Sequence, residues 1–411
     1  MITPSKLTFF FTLYLVVFAL VPGMTAEFLL VPERTLPETL AACVLFLTGF
    51  LIGARLASYE LYPGAGNRQW SAPNGRVSGL GLCILGASLL IMTAYIILVG
   101  PKPPVFAAAG GSDLLEAALL REEALKLNTD TAFVKAYAYT RDILGPAAFV
   151  LAIAAFKYAR LPLRLFCVLL LCAALFISVW SGQKATLLNY FVVATIFLTR
   201  STGSLARLLF VGAPAFAVTI FIMFLVTYPD TFAGSNADEV IADVIEGVMH
   251  RLFVSPFEVS MAYIDAINYQ SFINWLDTIP VFGAMLRPGV PPVENVIGTY
   301  YFYSGIDSIS ANGLCFAYTY IQGGLPFCFA VGTLTAVVPI LAIKFVRAGG
   351  NDFISKAFQA ILMYKILDLL NGNPLSYLVG MIEIAILAWV LARVCAGSSL
   401  LRLPVRAKLA S

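Results

Sequence analysis

The chain has 411 residues, 60% of them apolar and only 12% charged, and a net charge of +3. A soluble domain carries roughly 25% charge, so a water-soluble globule is excluded, and so small a positive excess gives no reason to expect a nucleic-acid partner. A mean hydropathy of +0.88 comes from apolar runs near the ~20 residues that cross about 30 Å of hydrocarbon as helix.

The expected fold is therefore an all-α polytopic membrane bundle with about ten spans. In chain order the apolar windows are 7–23, 37–54, 78–100, 142–156, 162–180, 186–199, 208–227, 314–342, 357–370 and 375–392. Lys6 ahead of the apolar stretch Leu7 to Leu20 resembles a secretory signal, but Met24 fits the small-residue cleavage rule poorly, so this segment is expected to stay as the first span. The windows 142–156 and 186–199 are short, whereas 314–342 is too long for one simple crossing. Its Gly323-Gly324-Leu325-Pro326 interruption predicts a kink or a half-helix facing a cavity.

With the N-terminus placed in the cytoplasm, the cytoplasmic side holds sixteen Lys and Arg against the acids Glu60 and Asp352, and the opposite side nine cations against nineteen acids. Every short loop then obeys the positive-inside rule, and both termini are cytoplasmic. Two large extracytoplasmic loops follow, 101–141 and 228–313; loops this long are functional or disordered. In the second, Ile241, Val244, Ile245, Val248 and Leu252 form an apolar stripe opposite Asp238, Glu239, Asp243 and Glu246, which predicts an amphipathic helix over 236–254. A second helix is expected over 257–269, then Pro/Gly-rich turns over 280–292. The sequence has no internal repeat of the kind transporters show.

The seven cysteines all fall in or beside apolar runs without a CxxC pair, and there is one histidine, so neither a disulfide framework nor a thiolate or histidine metal site is expected. A membrane enzyme acting on a phosphorylated lipid-linked substrate needs cations at the water boundary, guanidinium above all. The outer-side candidates are Arg121, Arg141, Arg251, Arg287 and Lys184. Each has a structural alternative: a solvated helical face beside Glu122 and Glu123 for Arg121, interfacial snorkelling for Arg141, helix-end compensation for Arg251, a solvated turn for Arg287 and a hairpin anchor for Lys184. His250 is a candidate general base by its pKa near neutrality, although a lone histidine is more often structural. Asp230, Glu258, Glu294 and Asp307 are the carboxylate alternatives. Lys365 and Asp368, spaced i, i+3 within a span, read as an ion pair or as a polar cavity floor, and Glu383 lies mid-span. Tyr300, Tyr301 and Tyr303 suit stacking on sugar faces, or an interfacial aromatic belt.

This pattern resembles the Wzy-type O-antigen (oligosaccharide repeat-unit) polymerases of bacterial inner membranes. The likeness covers the whole chain in architecture and is sharper at three places. Ser181-Gly182-Gln183-Lys184 is similar to the family's short Ser-Gly-x-(Arg/Lys) hairpin, with lysine where arginine is frequent. Met249-His250-Arg251-Leu252 resembles the arginine-bearing helix of the large loop. Asn312-Gly313 through Tyr318, with Gly323, Gly324 and Leu325, resembles the segment re-entering the membrane. The resemblance implies a metal-independent, cofactor-free glycosyltransferase of the membrane-embedded GT-C type, with its active site facing the periplasm. It implies that a glycan on undecaprenyl pyrophosphate is transferred to a sugar hydroxyl of a new lipid-linked repeat unit, with a chain-length regulator as protein partner. Arg251, His250, Glu294 and Asp307 would then serve catalysis, and Lys184, Arg287, Arg141, Arg121, Tyr300 and Tyr301 substrate binding. Lys184, Arg251 and Arg287 are expected to converge on the pyrophosphate, with Arg141 at the edge. An O-antigen ligase of the same architecture and a polytopic transporter are the alternatives.

Single cysteines in a cysteine-free background test the topology. An impermeant thiol reagent is expected to reach positions 115 and 235 from outside intact spheroplasts and to miss 70 and 350; labelling at 70 from outside would reverse the orientation.

Overall fold

The computed structural model describes residues 4–25, 31–59, 76–105, 120, 131–156, 161–181, 184–202, 250, 254–270, 293–302, 312–349, 353–369, 372–396 and 402–404. Helix α1 runs over Pro4–Leu15, widens into a π-turn at Val16–Leu20 and continues through Val21–Thr25. A 3-10 turn, Glu33–Thr35, leads into α2, Leu36–Tyr59, and α3 is Gly79–Val99. Helix α4 joins Thr131–Tyr139, a π-turn over Thr140–Leu144, and Gly145–Phe156. Then come α5 (Leu161–Val179) and α6 (Lys184–Thr202). Helix α7 is Ser255–Asp265 with a π-turn over Ala266–Gln270, and α8 is Val293–Tyr301. The last three are α9 (Cys315–Gly349), α10 (Phe353–Asp368) and α11 (Pro374–Ala396). A short antiparallel ribbon pairs β1, Arg76–Ser78, with β2, Arg402–Pro404.

Among the described residues six helices are long and apolar enough to cross a membrane: Glu33–Ala57, Leu80–Val99, Ala132–Phe156, Leu161–Val179, Cys315–Arg347 and Pro374–Cys395. The protein is a multi-pass, α-helical membrane protein. The expected windows 7–23, 186–199 and 357–370 fall on α1, α6 and α10, and 208–227, the amphipathic helix over 236–254 and the turns over 280–292 lie outside the described residues. The fourth crossing begins well ahead of the expected 142, because its first turns are amphipathic. Phe133 and Tyr137 are buried with Ile96, Ile177 and Trp180 while Ala132 and Lys135 face outward, a mixture that a hydropathy window dilutes. Arg141 is thereby inside a helix rather than at its border.

Helices α2 and α9 run side by side, backbone against backbone. A Cβ on Gly49 would sit 2.2 Å from the Phe329 carbonyl oxygen, one on Gly53 2.4 Å from that of Thr333, and one on Gly332 2.3 Å from that of Phe46. Lipid offers no hydrophobic drive for two helices to associate, so this small-xxx-small seam lets dispersion do the work. Helix α9 breaks where its sequence predicts: Gly324, at φ 70°, ψ −164°, occupies a region open in practice to glycine alone, and Pro326 follows. Across the break Cys328 Sγ donates to the Phe316 carbonyl at 3.6 Å, tying the two pieces.

Helix α10 is the centre of the bundle, packed on α4, α6, α9 and α11, and buried on all sides from Phe353 to Met363. Helix α7, the second loop helix expected from the sequence, wedges between α2 and the start of α9. Phe257 meets Phe316 at 6.4 Å, and the Leu314 N–H donates to Ser260 Oγ at 2.9 Å.

Gly53→Leu must push two backbones apart, an overpacking cost of about 1–3 kcal/mol or more, whereas a Cβ on Gly380 meets nothing within 4 Å. Melting of detergent-solubilised protein is expected to drop sharply for Gly53→Leu and stay at the wild-type value for Gly380→Leu; equal melting of the two would refute the seam.

Candidate functional site

Hydrogen bonds and ion pairs form two polar networks, one joining the starts of α2 and α9 with the ends of α7 and α8, the other joining α4 with the end of α10. The first centres on Asp265, whose side chain is fully buried at the end of α7. Arg34 donates to its Oδ1 through Nε at 3.1 Å and Nη2 at 2.9 Å. The Tyr301 hydroxyl donates to Oδ2 at 2.6 Å and Gln270 Nε2 at 3.3 Å. Burial by itself raises the Asp265 carboxyl, but these hydrogen bonds and the Arg34 charge outweigh it and hold the group below the ordinary carboxylate range. Burial and the neighbouring carboxylate push the Tyr301 phenol far up, so it stays a donor. Beside them Arg34 lies 4.1 Å over the Tyr269 ring, Asn268 Nδ2 donates to Glu38 at 2.9 Å and to Tyr320 at 3.0 Å, and Tyr300 donates to Gln270 at 3.2 Å.

The second network lies within the bundle. The π-turn of α4 adds a residue to the helical period, and two sequence neighbours, Arg141 and Asp142, both reach the interior. They form a two-pronged pair, Nε to Oδ1 at 2.8 Å and Nη2 to Oδ2 at 3.0 Å. Lys365 pairs with Asp368 at 3.0 Å, the ion pair its spacing predicts, and lies 3.8 Å from Asp142. Aromatic rings cap the cations: Tyr137 is 5.6 Å from the Arg141 guanidinium, and Tyr377 and Tyr364 are 5.5 and 5.8 Å from the Lys365 ammonium. The Tyr190 hydroxyl donates to the Arg141 carbonyl at 3.0 Å, which fixes the π-turn.

Glu294 stands in the first turn of α8, beside Tyr263 and Tyr318. The Tyr263 hydroxyl donates to that of Tyr318 at 3.0 Å, and the Glu294 carboxylate is near enough for its charge to act on both phenols. One carboxylate therefore stands beside a pair of phenols that α7 and α9 bring together.

Of the residues singled out in the sequence, Arg141, Lys365, Asp368, Tyr300 and Tyr301 belong to these networks, and Glu294 lies beside Tyr263 and Tyr318. Tyr301 braces Asp265, and Tyr300 is exposed. His250 is exposed, its Nδ1 3.1 Å from Ser255 Oγ, and no bond joins it to either network among the described residues. Glu258 is buried within α7. Glu383 accepts from Tyr139 on an exposed face rather than from a buried partner. Arg121, Arg251, Arg287, Asp230, Asp307, Tyr303 and the side chain of Lys184 lie outside the described residues, so their expected convergence does too. Arg34, Asp142, Asp265, Tyr263 and Tyr377 were not singled out in the sequence, and Tyr318 only as part of the re-entering segment. The available signal was Asp265 at the end of a helix buried on nearly every side, where an ionisable group demands a partner.

A depressed folded-state pKa makes Asp265 stabilising above the unfolded carboxylate value of about 3.9, and that contribution fades as pH falls through the folded value. Asp265→Asn is expected to lower stability at pH 7 by about 1–3 kcal/mol, with the gap to wild type closing below pH ~4. Thermal melting across pH 3–8 measures this, and a gap independent of pH would contradict it.

No protein-family model matches the chain, and no curated protein is detectably similar to it.

Proposed function

We propose that the chain is a membrane glycosyltransferase of a bacterial inner membrane that polymerises undecaprenyl-pyrophosphate-linked oligosaccharide repeat units at the extracytoplasmic end of its bundle. The observations that support this are the half-buried cations Arg141 and Lys365, held by Asp142 and Asp368, and the Glu294 carboxylate beside the Tyr263–Tyr318 phenol pair. In this proposal the acceptor sugar hydroxyl gives its proton to Glu294 as its oxygen bonds to the anomeric carbon. The bond from that carbon to the pyrophosphate oxygen breaks, and the charge on the departing lipid pyrophosphate is met by Arg141 and Lys365, which exchange Asp142 and Asp368 for phosphate oxygens. Glu294 is a better base than His250 here, because His250 stands exposed and bonded to Ser255. Metal is not required, since Arg141 and Lys365 supply the positive charge.

One observation favours a transporter instead: a helix broken at Gly324 near an intramembrane charge network is a transport-site device. Purified protein in liposomes with synthetic undecaprenyl-pyrophosphate repeat units separates the readings. A ladder of lengthened glycans is expected, resistant to excess EDTA, and lost by about 10²–10³-fold in Glu294→Gln and Arg141→Ala. No ladder, a ladder unchanged in both variants, or transfer only to added lipid A core would reject the polymerase, the last in favour of a ligase.

A further inference from the structure

We propose that Arg34, Asn268, Tyr269, Gln270 and Tyr300 form an oligosaccharide-binding platform, a subsite for the glycan chain at the rim of the bundle and separate from the reacting centre at Glu294. Tyr269 is 44% exposed and Tyr300 56%, both at helix ends. Tyrosines in such places commonly form an interfacial belt. A belt needs no particular ring orientation, and these rings are oriented from the core. Arg34, stacked 4.1 Å over Tyr269, is itself fixed by two N–H bonds to the fully buried Asp265. Tyr300 packs edge-on against Tyr301 at 4.9 Å, and Tyr301 is anchored on the same carboxylate.

The side chains beside the rings narrow the ligand. Asn268 donates to Glu38 and Tyr320, and Gln270 accepts from Tyr300 while donating to Asp265. Gln270, which engages Tyr300 and Asp265 once each, carries both donor and acceptor groups of the kind sugar hydroxyls take, and the ring faces match the C–H face of a pyranose. Phosphate fits poorly, because Glu38 and Asp265 offset the one guanidinium. An apolar peptide fits poorly as well, since the surface is polar between its rings. The choice of ligand rests on the proposed glycosyl transfer; the platform itself rests on this geometry.

The test uses full-length protein in nanodiscs and, as probe, the repeat-unit oligosaccharide released by mild acid from the source cell's own carrier lipid. Saturation-transfer NMR should show transfer to sugar ring protons. Loss of two aromatic contacts in Tyr269→Ala/Tyr300→Ala predicts about tenfold weaker binding. Tyr269→Phe should bind as wild type and Tyr269→Leu should not, although leucine anchors in a membrane equally well; melting temperature confirms that each variant is folded. No transfer in wild type, or leucine performing as well as phenylalanine, would overturn the platform in favour of a membrane belt. Binding without polymerisation would remove the proposed reaction and leave the platform standing, whereas polymerisation without binding would remove the platform alone.

Discussion

A charge within a membrane bundle persists only if another charge answers it, and the pairing of Arg141 with Asp142 is where this chain meets that demand. Guanidinium and carboxylate share two short bonds, and Lys365 and Asp368 extend the pair into a balanced set of two cations and two anions. The cost of removing these groups from water is large, and it is recovered only through close geometry. That geometry depends on the π-turn of α4, on its brace by Tyr190, and on the ends of α10 and α11 that bring Lys365, Asp368 and Tyr377 alongside. Within this set two positive and two negative charges answer one another.

Helix α7 does the corresponding work at the rim. It is too short to be a span, yet it is buried on most sides, and its polar groups point at specific partners: Ser260 to the Leu314 amide, Tyr263 to Tyr318, and Asp265 to Arg34 and Tyr301. A segment expected from the sequence as a loop helix is thereby part of the bundle, and it sets where α9 enters.

Much of the fold was legible because the bilayer imposes one length on every crossing, and an apolar run of that length has few alternatives. The Gly323-Gly324-Leu325-Pro326 break could be read because two glycines and a proline remove helical preference at one point. The Lys365–Asp368 pair could be read because i, i+3 neighbours share a helix face. The first half of α4 could not, since Phe133 and Tyr137 alternate with outward polar or small residues. The site was harder still. Arg34 and Asp265 are 231 positions apart, and no local pattern connects them. His250 drew notice as the one histidine, a property of composition and not of position, whereas Glu294 is distinguished only by the phenols that other helices bring to it.

The glycine seam between α2 and α9 has a mechanical consequence. Below Gly324 the two helices cannot slide past one another without driving carbonyl oxygens into the space where Gly49, Gly53 and Gly332 lack side chains. They act as one stiff beam, and the stretch from Cys315 to Gln322 is a short arm on a glycine pivot at its end. Any tilt of one must therefore carry the other, while the arm stays tied to the beam by Cys328 and to α7 by Ser260 and Tyr263.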